Sequence, residues 1–491
     1  MNIELAQQAL TGTMNRLTVG GMASSAEDLL IDMATHDLQQ RVGFIVPERP
    51  VDFMPRSQIE ERSRCSDAAA DMLAHLLRSN ATRLLHQWID LCAYSGQRVP
   101  IEHIGSLLNM AVLNEELLQN IVTITGWRGW WLAQQRRDWL HLYLAIQPRT
   151  YMDRELSIMT RLPSLRMLRK NDPDAARRWL EAWLFKEHEH MQVQILRVLQ
   201  TGLSIADEPY LESLLDDHQK ILVAEEAANL LMRLDGSAYV QRMKDRMEGA
   251  LLCRESGTLH AVKYEFLTEG MRRDVVDRYF FHSRDREKDN WYWAMLGAVP
   301  PSFWTELFHT DEHTLINMAM HPESDTHLLL KGWIDAAVHH ADRKWLLALL
   351  HRLLEDRRDR PVDYYRIRGI VQSLPPSLVE DQLIRSMIEA NDAAWHILDV
   401  ITHCHHHWSK GFSVVVVDYL KRSIVEGCTY NQQKINRMLE DIKDFGCYMY
   451  PGCFELAFEH LHTLPEATGF LDILGLRRDM WLAFGLLKEG H

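Results

Sequence analysis

Apolar residues recur at helical spacing through most of this chain, in short segments separated by proline, glycine and acidic residues. The clearest stretch is 172–247. Asp172-Pro173 opens a helix as N-cap and first helical residue, where the N–H that proline lacks would be unpaired anyway. Ala175, Ala176, Trp179, Leu180, Trp183 and Leu184 line one face of it, and a second helix carries Met191, Ile195, Val198 and Leu199. About 35 residues after the first start, Asp207-Glu208-Pro209 opens a third helix lined by Tyr210, Leu211, Leu214 and Leu215. Its partner carries Ile221, Ala224, Ala227, Ala228, Leu231 and Leu234, with Gly236 as the stop. Helix pairs at that period bury their apolar faces only against neighbouring pairs. The pattern therefore predicts an all-α fold, a HEAT-like α-solenoid of antiparallel helix pairs.

The same punctuation divides the chain into four parts. Residues 1–62 hold helices as far as Gln39 and then an irregular segment broken by Pro47, Pro50 and Pro55. Residues 63–247 form an N-terminal helical-repeat half, including one Trp-rich helix over 127–146. At 248–290 the helical period lapses at a joint. There Leu251-Leu252-Cys253, a turn at Glu255-Ser256-Gly257 and the run His260 to Phe266 predict a short β-hairpin. Residues 291–491 form a C-terminal helical-repeat half, with helices over 324–340, 342–356, 376–389, 391–403, 410–426 and 466–488 among others. Connections of a few residues make antiparallel neighbours the default.

A chain of 491 residues exceeds one ordinary core, but a solenoid grows in one dimension and escapes that limit. The net charge of −14 opposes general nucleic-acid binding, which depends on neutralising phosphates. Seven scattered cysteines with no C-x-x-C pair predict reduced, mostly buried thiols in a reducing compartment. The early Glu4, the missing basic leader and the absence of a long apolar run add to an expected cytoplasmic location.

Candidate chemistry is sparse. On a helix, His403 and His407 of His403-Cys404-His405-His406-His407 would share a face and could hold a divalent metal. The helix is expected to end there, however, and no acid sits at a matching spacing. His188-Glu189 is the single His-Glu pair in the chain, so a two-iron helical-repeat site lacks its other ligands. Phosphate-cradling loops, nucleophile elbows and H-E-x-x-H are absent. Two arginine clusters remain: Arg161, Arg166, Arg169, Lys170, Arg177 and Arg178, then Arg352, Arg357, Arg358, Arg360, Arg366 and Arg368. They keep open a solenoid DNA-binding enzyme of the helical-repeat glycosylase type, beside a metal-dependent helical-repeat enzyme. The sequence assigns no catalytic, cofactor-binding or metal residue, and the first expectation is a binding protein.

Tryptophan offers the best candidate surface. Trp127, Arg128, Gly129 and Trp130 crowd one segment, and Trp and Arg are enriched where partners bind most tightly. The four- and eight-residue steps to Trp131 and Trp139 suggest that these two face the core, leaving Arg128 for binding. Gly129 beside it would let a partner approach the backbone closely.

Gly126-Trp127-Arg128-Gly129-Trp130-Trp131-Leu132-Ala133 followed by Asp138-Trp139 resembles the G-x-R-G-x-W-L-A…W signature of a bacterial family of unknown function. Further matches are Ala9-Leu10-Thr11-Gly12-Thr13, Arg98-Val99-Pro100, Gly202-Leu203-Ser204 through Asp207-Glu208-Pro209 to Asp216-Asp217, and Trp408-Ser409. The family's N-P-x-W reads Arg136-Arg137-Asp138-Trp139 here. Members of that family are encoded beside MoxR-type AAA+ ATPases, von Willebrand factor A-domain proteins and SWIM zinc-finger proteins. The resemblance thus implies an adaptor or scaffold that presents a substrate to such an ATPase. It implies no catalytic residue. The chain lacks Walker motifs and the metal-adhesion D-x-S-x-S, so it is neither the ATPase nor the von Willebrand component.

Overall fold

The structure, a computed structural model, describes residues 62–79, 81–136, 158–216, 220–276, 287–355, 364–390, 395–427 and 442–487, with Ile31, Ala34, Trp139 and Leu142. The helices and irregular segment expected over 1–62 lie almost wholly outside the described residues. Residues 61–491 group as one unit, distinct from residues 1–60.

The fold is all-α. Among the described residues it has twenty-two α-helices and one two-stranded sheet. The first four helices are α1 (Asp67–Ser79), α2 (Thr82–Tyr94), α3 (Ile104–Leu113) and α4 (Leu118–Ala133). Next come α5 (Ile158–Asn171), α6 (Pro173–Trp183), α7 (Glu189–Leu196), α8 (Glu208–Leu215), α9 (Ile221–Leu231) and α10 (Ala238–Met247). The hairpin pairs β1 (Leu251–Cys253) with β2 (Leu259–Ala261), antiparallel, with Leu252 opposite His260. It falls where the alternation placed it. Its second strand stops at Ala261, well before Phe266.

Beyond it lie α11 (Glu269–Arg273), α12 (Glu287–Ala298), α13 (Pro301–Leu307), α14 (Glu312–Ala319), α15 (Thr326–His339) and α16 (Arg343–Glu355). The chain continues through α17 (Tyr364–Ser373), α18 (Pro376–Glu389), α19 (Trp395–Ile401), α20 (Lys410–Gly427), α21 (Phe454–Leu461) and α22 (Thr468–Ala483).

Local chemistry explains many of these boundaries. The Asp172 carboxylate accepts the Ala175 N–H at 2.9 Å, and Pro173 takes the first helical position of α6. Gly236 ends the turn after α9 at φ 82°, a backbone region that costs other residues a Cβ clash. The start of α8 is different from its expected cap. Ser204 makes a capping box with Asp207, and the Asp207 carboxylate is committed elsewhere.

Alternate helices stack. In the C-terminal part α14 packs on α16, α16 on α18, α18 on α20 and α20 on α21. A second row runs from α10 through α12, α15 and α17 to α19. The α12–α15 contact is close enough to need glycine. A Cβ on Gly332 would lie 2.4 Å from Leu296 Cδ2 and 2.9 Å from its Cβ, so the two backbones approach through that gap.

The described apolar residues form two cores. One runs continuously from Leu162 to Leu474, through the hairpin segment. The other gathers α1–α4 with Trp139 and Leu142, and it closes on Cys447, Ile473, Met480 and Phe484 from the far end of the chain. The first helices thus pack against the last ones.

Candidate functional site

Gly126 breaks α4. Its φ of 55° and ψ of −150° belong to a region that only glycine visits readily. A break leaves carbonyls of the preceding turn without helical partners. Neighbours supply them: Val99 N–H donates to the Ile124 carbonyl at 3.0 Å, and the Arg62 guanidinium donates to that of Thr123 at 3.1 Å. The segment Arg98-Val99-Pro100 therefore meets the segment that begins at Gly126.

Beyond the break, residues 127–133 form a separate short helix ending at Ala133, with Gln134 as its C-cap. Trp127 and Trp131, one turn apart, are 42% and 45% exposed. Arg128 is half-buried and makes no hydrogen bond or ion pair with any described residue. Trp130 is half-buried. Gly129 is buried, so it is not presented to a partner. Two expectations change here. Trp131 is exposed, because the helix ends at Ala133 and the eight-residue step to Trp139 is no helical step. Trp139 alone is core: it is 7% exposed, its Nε1 donates to Asn109 Oδ1 at 3.0 Å, and Arg136 lies 4.4 Å over its ring. The exposed Trp127–Trp131 face, with Arg128 beside it, is the candidate binding site.

The segment from Gly202 to Asp207 builds a clamp around Arg169. That side chain is fully buried. Its Nε donates to the Thr201 carbonyl at 2.9 Å, and its Nη2 donates to the Gly202 carbonyl at 2.9 Å and to Asp207 Oδ2 at 2.5 Å. Arg177 Nε reaches Asp207 Oδ1 at 2.9 Å. Burial opposes ionisation of Asp207, but the hydrogen bonds from Arg169 and Arg177 outweigh it and hold the carboxyl below its usual range. The arginines most central to the first basic cluster are thus spent inside the fold. Arg352 pairs with Glu355, and Arg357, Arg358 and Arg360 lie outside the described residues.

The histidine run does not converge. α19 ends at Ile401, so His403 to His407 occupy a turn and share no helical face. His403 is buried, and burial, then His405 and Arg368, pull its pKa down to about 4. His405 stacks on Tyr448 with ring centroids 5.5 Å apart, while His406 Nε2 bonds Glu380 Oε1 at 2.9 Å. Trp408 is buried, and Ser409 Oγ accepts the Phe412 N–H in the first turn of α20. At the other histidine pair, Glu189 Oε1 accepts the Leu222 N–H at 3.1 Å. Among the described residues, no three His, Cys, Asp or Glu side chains are grouped to hold a metal.

A family model matches residues 4–482. The chain belongs to DUF5691, a family of unknown function. Searches of curated proteins and of solved structures find no match. Within this DUF5691 member, the segments singled out by resemblance have distinct structural roles. Gly126 makes the α4 break and Val99 pairs with a carbonyl it frees, Gly202 and Asp207 clamp Arg169, and Ser409 caps α20 after the buried Trp408. The stretch Ala9 to Thr13 lies outside the described residues. No helix among the described residues is long and apolar enough to cross a membrane.

Proposed function

We propose that this DUF5691 protein is a non-enzymatic scaffold or adaptor working with a MoxR-type AAA+ ATPase and a von Willebrand A-domain partner. A SWIM zinc-finger protein is a further candidate partner. The observation that carries this reading is the exposed Trp127–Trp131 pair with Arg128 alongside. Large aromatics flanked by a guanidinium are the side chains that dominate interface energies. The kink at Gly126 and the stop at Ala133 place them on one short helix. Partner identity rests on the resemblance of that segment to a family encoded beside such ATPases.

The scaffold reading takes the all-α chain as a helical repeat, and two regularities support it. Left-handed residues at turns between helices fall at Gly202, Gly236, Val275, His309 and Ala341, spaced 34, 39, 34 and 32 residues apart, with Gly257 of the hairpin turn lying between the second and third. Side-chain bonds reach a similar distance: Arg169 to Asp207, Arg242 to Glu212, Arg242 to Asp274 and Gln382 to His351. Two of these join alternate helices, α10 to α8 and α18 to α16, as neighbouring pairs of a solenoid would, while Asp207 precedes α8 and Asp274 follows α11. Six described cysteines without a disulfide, five of them buried, fit a reducing cytoplasm. The DNA-binding alternative needs a basic face, and Arg169 and Arg177 are already committed to Asp207.

Affinity capture from native cells with mass spectrometry tests the reading. An AAA+ ATPase should be recovered with the wild type and lost with the Trp127→Ala, Trp131→Ala double variant. Recovery of nucleic acid instead, or an ATPase retained by the double variant, would contradict it.

A further inference from the structure

The stacked helices α14, α16 and α18 leave a cleft of about 320 Å³ on their outward side. Leu347, Ala348 and Leu378 give it an apolar floor. Gln382 Nε2 donates to His351 Nδ1 at 2.6 Å, which puts the His351 ring hydrogen on Nε2, facing Glu355 Oε1 at 3.3 Å. The Gln382 amide oxygen is then left as an acceptor at the cleft wall. Arg385 is exposed at the rim and makes no hydrogen bond or ion pair with any described residue, although Asp381 precedes it by one turn. Packed helices lie about 8–10 Å apart. A groove across three of them therefore spans roughly 16–20 Å, the length of about five or six extended residues.

We propose that this cleft binds an extended peptide segment of a partner protein in which an apolar residue adjoins one acidic residue. The apolar side chain rests on Leu347 and Leu378, the carboxylate takes the exposed Arg385 guanidinium, and Gln382 accepts a backbone N–H. Asp381, one turn away, disfavours a second acid nearby. This deepens the scaffold reading and rests on it, since it gives the chemistry of something presented.

An array of acetylated hexapeptide amides, probed with the purified full-length protein, tests it. Peptides with Leu or Phe beside one Glu should be retained, and replacing that Glu with Lys should weaken retention about ten- to a hundredfold, as for a lost charge-assisted bond. The Arg385→Glu variant, at an exposed position, should reverse the charge preference and keep the apolar one. Leu347→Asp should abolish both, with circular dichroism confirming that each variant is folded. No enrichment, or an acid preference unchanged by Arg385→Glu, would overturn the proposal. The array contains no ATPase, so its outcome is separate from capture through Trp127 and Trp131.

Discussion

The helices before residue 142 and those after residue 162 handle contact in different ways. In the later part, bonds between helices often join near neighbours in the sequence, as from Arg242 to Glu212 and from Gln382 to His351, and the buried guanidinium of Arg169 has a carboxylate partner in Asp207. The early block is tied to the opposite end of the sequence. Ser66 Oγ donates to the Ala483 carbonyl, Arg83 pairs with Asp444, Gln87 donates to the Cys447 carbonyl, and Trp88 meets Phe484 edge-on at 5.3 Å. At this seam the acceptors of the buried Arg477 among the described residues are neutral, Gln87 Oε1 at 2.8 Å and the carbonyls of Gly446 and Met449. Burial pulls its pKa down to about 10. The later helices are held largely by contacts between near neighbours in the sequence. The block is held by one set of contacts that must be met once, and it covers apolar surface at the last helices that would otherwise face water.

That difference can be broken at the array first. Asp207→Ala strands the Arg169 charge in the interior and should cost about 3–5 kcal/mol in chemical denaturation. A loss under 1 kcal/mol would show that Arg169 is not buried as described. Gly332→Ala forces Leu296 and the α12–α15 contact apart, and about 1–3 kcal/mol should be lost, measured the same way. At the seam, a double-mutant cycle of Gln87→Ala with Arg477→Met should show coupling of about 0.5–3 kcal/mol, whereas Gln87→Ala with Asp207→Ala should be additive.

Acid should also act near the seam. His403 has a folded pKa of about 4, below its unfolded value near 6.5, so the unfolded chain binds the proton first. Its share of stability is complete above pH 6.5 and falls as pH drops from there towards 4. Burial lowers His405 and His407 as well, with Arg83 and Arg477 respectively adding to it. Melting temperature should fall over that window, and His403→Gln should flatten part of the slope. The smallest effect is a gain. Val275 sits at φ 54°, a strained region for a β-branched residue, where Gly202 and Gly236 serve at other turns. Val275→Gly should stabilise by about 1 kcal/mol. A loss of that size would mean that its buried side chain matters more than the strain.

Helix boundaries were legible wherever the signal is local. Asp172-Pro173, Gly236 and Pro375-Pro376 mark starts and stops through cap chemistry that needs no tertiary contact. The predicted helix over 376–389 matches α18 residue for residue. What failed depended on continuity or distance. Trp131 was misplaced because the phase of α4 stops at Ala133, which no periodicity rule reveals. The clamp on Arg169 was hidden because Asp207 has two chemically sensible uses, capping a helix or pairing with a buried arginine. The seam was invisible: nothing near Gln87 signals Arg477, 390 residues away. For the site, the Trp127-Arg128 segment was legible as a candidate. Which of its tryptophans faces outward was not.

Hydrogen exchange on the full-length protein tests most directly whether the first helices pack on the last. With Phe484→Ala, protection should drop in Thr82–Tyr94, which holds Trp88 against that ring, and stay unchanged in Pro173–Trp183. Unchanged protection in Thr82–Tyr94, or a loss confined to Pro173–Trp183, would contradict the account.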